Sequence, residues 1–145
     1  MKTCLVGCGG IAAVHGSVLT SGIDTEFVAA ADIKPEKAQT YAKNFHTKPY
    51  PSLESMLDAE KPDVLHICTP HYLHVPMAIY ALEQNINVFM EKPPAISFDQ
   101  LEELKKAAAK SEAQLGFCYQ NRYNASIRAA KDLIDSGKAG KVLGA

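Results

Sequence analysis

Short apolar runs alternate along this chain with stretches whose apolar positions recur every three or four residues. Residues 2–6 (KTCLV) read as a strand, and Ile11, Val14, Val18 and Leu19 then mark one face of a helix. Ser21-Gly22 ends that helix, with Gly22 suited to a left-handed cap. A second strand is predicted over 27–31. The helix after it starts at Pro35, which fits a first turn, and buries Ala38, Tyr41, Ala42 and Phe45. The signal then weakens to a brief strand over 48–50 and a short helix capped by Ser52 and running through Leu57. After Pro62-Asp63 the alternation restarts with a strand over 64–68, a helix marked by Val75, Ala78, Ile79 and Leu82, and a strand over 87–90. Ser97 and Gln100 form a capping box before a helix whose buried face is Phe98, Leu101, Leu104 and Ala108. A strand over 115–118 and a helix carrying Ile127, Ala130, Leu133 and Ile134 complete the order.

Strands that alternate with helices pair in parallel, because parallel neighbours need a crossover, and the crossovers are right-handed. The strands are continuous apolar runs, which fits a sheet covered on both faces. The expected fold class is α/β, a doubly wound parallel sheet. Two segments are expected: one doubly wound domain over 1–120, and a connecting helix over 121–145.

Composition narrows the partners. Apolar residues make up 47% and charged residues 21%, ordinary for a soluble globular domain. The net charge is -1 and no Lys/Arg run forms a nucleic-acid footprint, so no nucleic-acid partner is expected. No run reaches the roughly 18 apolar residues of a membrane helix. A strand that starts at Lys2 leaves no room for a signal peptide, and Cys4, Cys8, Cys68 and Cys118 form no Cys-x-x-Cys pair. The expectation is a cytoplasmic protein with reduced thiols and no membrane partner.

The turn after the first strand reads Gly7-Cys8-Gly9-Gly10-Ile11-Ala12, a Gly-x-Gly-x-x-Ala pattern. There Gly7 permits a tight turn, Gly9 lets backbone approach a pyrophosphate, and Ala12 keeps helix close to sheet. The helix start offers free N–H groups and a positive dipole end to phosphates. Asp32 closes the second strand 20 residues past Ala12. A carboxylate there accepts hydrogen bonds from the adenosine ribose and repels a 2′-phosphate, which favours NAD over NADP. Lys34, two residues on, either neutralises such a phosphate or sits solvated on a loop. Asp32 can also cap the helix that begins at Pro35.

Polar residues then gather at three further strand ends: Thr69-Pro70, Glu91-Lys92-Pro93 and Asn121-Arg122. In doubly wound sheets ligands sit outside the carboxyl ends of the strands. Side chains alternate along a strand, so at most one of Glu91 and Lys92 faces a reacting centre. Lys92 is the candidate, as general acid or base or to polarise a substrate oxygen; its other reading is a paired surface lysine. His66, Cys68, His71 and His74 have metal-ligand chemistry, but Pro70 interrupts them and the spacing is no standard site, so no metal is expected. His74 reads as a cleft residue at a helix start. His15 and His46 have no evident partner.

The glycine turn, Thr69-Pro70-x-x-x-His74, Glu91-Lys92-Pro93 and Asn121-Arg122-Tyr123 together resemble the Gfo/Idh/MocA oxidoreductases over essentially the whole chain. The resemblance implies a Rossmann domain followed by a larger α/β domain that this chain stops short of. It implies cofactor contacts from Gly7, Gly9, Gly10, Ile11, Ala12, Asp32, Ile33 and Lys34. Thr69, Pro70, His74, Glu91, Lys92, Asn121 and Arg122 line the nicotinamide half, with Lys92 as the catalytic residue. Pro94 departs from the small or aliphatic residue usual there. The implied activity is hydride transfer between NAD, or alternatively NADP, and a hydroxyl or carbonyl carbon of a sugar, polyol or cyclic diol. The implied full-length protein is a homo-oligomer, and this fragment alone is expected to be inactive. Two other classes remain open: an NAD-dependent glycoside hydrolase that oxidises its sugar transiently, and a non-catalytic NAD-sensing module.

Overall fold

In the computed structural model, which describes residues 1–22 and 24–144, six strands form one parallel sheet. They are β1 (Lys2–Val6), β2 (Glu26–Ala31), β3 (Lys48–Tyr50), β4 (Val64–Ile67), β5 (Asn87–Met90) and β6 (Leu115–Phe117), in the spatial order β3-β2-β1-β4-β5-β6. The strand order reverses between β1 and β4, which is where such sheets open a ligand crevice. The doubly wound fold expected from the apolar alternation is therefore present, including the weakly signalled β3.

Six helices alternate with the strands: α1 (Gly10–Leu19), α2 (Pro35–Phe45), α3 (Leu53–Glu60), α4 (His74–Leu82), α5 (Phe98–Lys110) and α6 (Ala125–Asp135). Alternate strand residues face opposite layers. Leu5 and Ala30 pack with Ala12 and Tyr41 of α1 and α2, while Cys4, Val6, Leu65, Ile67, Val88 and Met90 pack with α3, α4 and α5. Among the described residues no helix is long and apolar enough to cross a membrane.

Local chemistry explains the boundaries. Pro35 opens α2, and His46 ends it in the left-handed region at φ 55. The Ser52 side chain accepts from Ser55 N at 3.1 Å and starts α3, which runs on to Glu60 rather than stopping at Leu57. Ser97 caps α5 through Gln100 N at 3.2 Å, but the capping box is only half made: Gln100 Oε1 accepts from Ile96 N instead of Ser97 N.

Three predicted faces are corrected. On α1, Ile11, Val14 and Val18 face solvent, and the buried stripe is Ala12, His15, Gly16 and Leu19. A side chain on Gly16 would meet the Tyr41 hydroxyl at 2.5 Å and the Phe45 ring at 2.7 Å, so small residues beat large ones where this helix approaches α2. On α5, Phe98 at the first position is 87% exposed; Leu104 carries the burial, with Leu101 and Ala108 half-buried. On α6 nothing is buried: Ile127, Leu133 and Ile134 are all exposed, and no described element covers them.

Candidate cofactor-binding site

Gly7 begins the site and is required twice over. Its φ is +92, and a Cβ there would lie 2.8 Å from the Cys68 backbone. Gly7 N donates to Ala31 O at 2.8 Å, so the turn is pinned between the ends of β2 and β4. At Gly9 and Gly10 a Cβ would meet nothing within 4 Å. Packing within the chain does not demand glycine at these two positions, whereas a ligand lying on the backbone does. Gly9 is the N-cap of α1 with no side-chain cap, and no acidic residue occupies the first turn, which leaves the helix dipole end for an anion. Ala12 is fully buried, and its carbonyl accepts from the Tyr41 hydroxyl at 2.7 Å.

Asp32 holds this turn from the other side. Its Oδ2 accepts from Cys8 N at 2.9 Å and its Oδ1 from Lys34 N at 2.9 Å. The carboxylate thus braces the glycine turn with lone pairs to spare for hydroxyl donors. Asp32 is not the N-cap of α2; Lys34 is, without a side-chain bond. Burial, with the Asp32 charge adding to it, pushes the Cys8 thiol up to about 12, so the sulfur in the turn stays protonated.

A cavity of about 330 Å³ opens beside these groups. It brings together Gly7, Gly9, Asp32, Ile33, Lys34, Thr69 and Pro70, seven of the residues singled out from the sequence, and adds Lys37, Leu73 and Met77. Lys37 lies one turn beyond Lys34 on α2, a spacing that could have flagged it. Thr69 Oγ1 is buried and has no hydrogen-bond partner among the described residues. Gly10 and Ile11 lie on the exposed start of α1 beside this cavity rather than in its wall.

The other half of the crevice is built at the ends of β4 and β5. His74 is completely buried and joins them: its Nδ1 lies 2.9 Å from Pro93 O and its Nε2 3.0 Å from Thr69 O. The Lys92-Pro93 peptide is cis. Glu91 and Lys92 do point apart, as the strand alternation requires. Lys92 is exposed and joins no salt bridge among the described residues. Glu91 is 5% exposed and turns inward toward α1. Asn121 and Arg122 sit on an exposed 3-10 turn (Gln120–Tyr123). Arg122 borders a separate cavity of about 520 Å³ along β6, with Tyr119, Tyr123 and Arg128.

The inward turn of Glu91 exposes what sequence reading missed. Glu91 Oε1 meets His15 Nε2 at 3.1 Å, and His15 Nδ1 meets His66 Nδ1 at 3.0 Å. Burial alone would raise the Glu91 carboxyl, but hydrogen bonds from His15 and Cys118 outweigh it and hold the group below its ordinary range. Burial first, and then the neighbouring His15, push His66 down to about 4, so it is neutral at pH 7. The detectable signal was the 12-15-16-19 spacing, which puts His15 on the buried face of α1. The four residues weighed as a metal site from sequence do not converge. Among the described residues, the group that brings three ligand-type side chains within 4.8 Å of one another is His15, Glu91 and Cys118.

Comparison with known proteins agrees with this geometry. The profile of the Gfo/Idh/MocA group, described as an oxidoreductase family with an NAD-binding Rossmann fold, matches residues 1–119. Glucose-6-phosphate 3-dehydrogenase of Bacillus subtilis is 28% identical, over 98% of this chain and 40% of its own length. The 2,7-anhydro-N-acetylneuraminate hydratase of Mediterraneibacter gnavus is 31% identical, over 99% of this chain and 38% of its own. The WlbA dehydrogenase of Bordetella pertussis, solved with NADH and UDP-GlcNAcA, superposes with a TM-score of 0.92 at 31% identity, covering 97% of this chain and 43% of that one. The chain thus spans about two fifths of the length of these relatives. It belongs to the Gfo/Idh/MocA oxidoreductase family, and residues 1–119 are its NAD-binding Rossmann domain.

Proposed function

We propose that this chain binds NAD for an oxidoreductase acting on a hydroxyl or carbonyl carbon of a sugar, polyol or cyclic diol. The observation that carries the reading is the bare backbone of Gly9 and Gly10 at the uncapped start of α1, beside a cavity walled by Asp32. When bound, NAD supplies a hydride acceptor at nicotinamide C4. The α1 start takes the pyrophosphate, and Asp32 accepts from the ribose hydroxyls while opposing a 2′-phosphate. Lys34 and Lys37 stand at the rim of the same cavity, where either can meet a phosphate. Lys92, exposed beside a strand end fixed by His74, is the group that moves the proton of the substrate hydroxyl. Relatives named as sugar and inositol dehydrogenases support the substrate class. In this reading residues 1–120 hold the cofactor and 121–145 connect to the substrate-binding part; Ala145 itself lies outside the described residues.

Calorimetric titration of the chain with NAD and NADP tests the binding reading. NAD should bind more tightly, and Asp32→Ala should weaken NAD by roughly tenfold or more, the loss of hydrogen bonds to a charged acceptor. Failure of both nucleotides to bind overturns it. For Lys92, the measurement is turnover in a chain extended to the relatives' length. Lys92→Ala should remove turnover and spare NAD affinity, and unchanged turnover strips Lys92 of its role.

The hydratase among the relatives favours one second reading, since hydration involves no net oxidation. A chain serving such a reaction would accumulate no NADH while its sugar is consumed. Net NADH formation decides between the two.

A further inference from the structure

The buried face of α1 carries Ala12, His15, Gly16 and Leu19. Three of these pack without direction. The helix is held by the Tyr41 hydroxyl on the Ala12 carbonyl at 2.7 Å and by the close approach of Gly16 to α2, while His15 alone on that face makes directional hydrogen bonds from its side chain and so links the helix to the sheet. His15 lies five residues past Gly10, about 7.5 Å along the axis from the end offered to the pyrophosphate.

What His15 grips is the end of β5. Its Nε2 meets Glu91 Oε1 at 3.1 Å, and the other Glu91 oxygen accepts from the backbone N–H of Lys92 at 3.2 Å. The carboxylate is an acceptor, so His15 Nε2 donates. Its Nδ1 then faces His66 Nδ1 at 3.0 Å, and the Phe89 ring packs against both imidazoles. Two hydrogen bonds therefore run unbroken from the helix that receives the phosphates to the peptide that presents Lys92. With the Cys118 thiol, a weak donor, as the other side-chain partner of this 5% exposed carboxylate, nothing near it replaces the imidazole at full strength.

We propose that His15 is a positioning residue: through Glu91 it couples the pyrophosphate helix to the strand end at Lys92, and so sets how the nicotinamide half of the cofactor is received. The inference rests on the NAD-binding reading above. It separates the two halves of the cofactor. ADP-ribose carries the adenosine and pyrophosphate but no nicotinamide, so it reads the α1 start and Asp32 without reading the β5 end.

The test measures ADP-ribose and NADH affinity for the wild-type chain and for His15→Leu, His15→Asn and His15→Gln, with NADH fluorescence recorded in each complex. Glutamine can place an amide donor near the Nε2 position and keep the bond to Glu91; asparagine is too short. His15→Leu and His15→Asn should weaken NADH roughly tenfold, the loss of a hydrogen bond to a charged group, and alter its bound emission. ADP-ribose should change less than about twofold, and His15→Gln should restore most of the NADH affinity. If His15→Leu does not fold, the asparagine and glutamine pair carries the same contrast. Equal loss of both ligands makes His15 a structural residue and overturns the proposal, as does unchanged NADH binding in His15→Asn or failure of glutamine to rescue. A wild-type chain that binds both ligands equally keeps the cofactor reading and overturns this one. A wild-type chain that binds neither overturns the cofactor reading itself, and this inference with it.

Discussion

The two ends of the sheet are built to different standards. At the β3-β2-β1 end the turn and the carboxylate that build the site are already partnered. Asp32 takes two backbone N–H groups, Gly7 is locked against the Cys68 backbone, and Tyr41 reaches across to Ala12. At the β6 end every described residue from Tyr119 onward is exposed, and the apolar stripe of α6 meets no described element. The contrast separates what local sequence can finish from what it leaves open. A cradle for phosphate and ribose needs only a turn, a helix end and one carboxylate. Burying the α6 stripe needs a partner surface that none of the described residues supplies.

The sharpest way to break the contrast is Gly7→Ala. The new methyl meets backbone at 2.8 Å and the residue keeps a φ of +92, so neither strain nor clash can relax through a side-chain rotation. Together they should cost about 3 kcal/mol of unfolding free energy, read by urea melts. A loss under about 1 kcal/mol shows that the turn yields, and that this end is no more rigid than the other.

The same contrast marks what was legible in the sequence. The glycine turn, Asp32, Pro35 and the strand-helix alternation are local signals, each with a local cause, and the structure places the glycine turn and Asp32 at one crevice where the strand order reverses. The face of α1 was not legible from hydrophobicity. Ile11, Val14 and Val18 are the larger apolar residues, yet the helix turns Ala12 and Gly16 to the sheet because close approach to Tyr41 and Phe45 excludes bulk. His15 followed the same turn inward, and its partners His66 and Glu91 lie 51 and 76 residues away, beyond the reach of any spacing rule. Phe98 and the α6 stripe mislead in the opposite direction, since a periodic apolar pattern states that a face can be buried and not that a neighbour is present.

Acid sensitivity should also divide by region. Glu60, at the end of α3, accepts from the Tyr50 hydroxyl at 2.6 Å and from Lys48 at 2.9 Å, and pairs with Lys2 at 3.0 Å. Those hydrogen bonds, Tyr50 first and Lys48 next, lower its carboxyl from 4.5 to about 2. A depressed folded value means that the stabilisation is fully present above the unfolded value and is lost as the pH falls toward the folded one. The window is therefore between roughly pH 4.5 and 2. Of the pairs toward the other end, Lys105–Glu102 and Lys131–Asp135 are exposed and contribute little, and the buried Glu91 carboxyl at the β5 end, also held below its ordinary range, is the one to compare with Glu60. Glu60→Gln should lower the melting temperature at pH 7, and the difference from wild type should shrink through that window. Parallel melting curves from pH 7 to 3 show that Glu60 is not the acid-labile group.

The smallest expected effect is on α6. Leu133 is 49% exposed and Ile134 45%, on a helix whose remaining residues are exposed as well. Removing an apolar side chain from a core costs what its burial gained plus the cavity left behind, and neither term exists here. Leu133→Ser should therefore change the stability of this chain by less than about 0.5 kcal/mol, the range of an ordinary surface site. The helix itself stands on the Asn124 cap, whose Oδ1 accepts from Ser126 N at 3.1 Å, and on the Lys131–Asp135 pair, so serine at 133 leaves its ends intact. A destabilisation above about 1 kcal/mol means that the stripe packs against this chain in solution. In that case the β6 end is as finished as the β1 end, and the difference between the two halves of the sheet disappears.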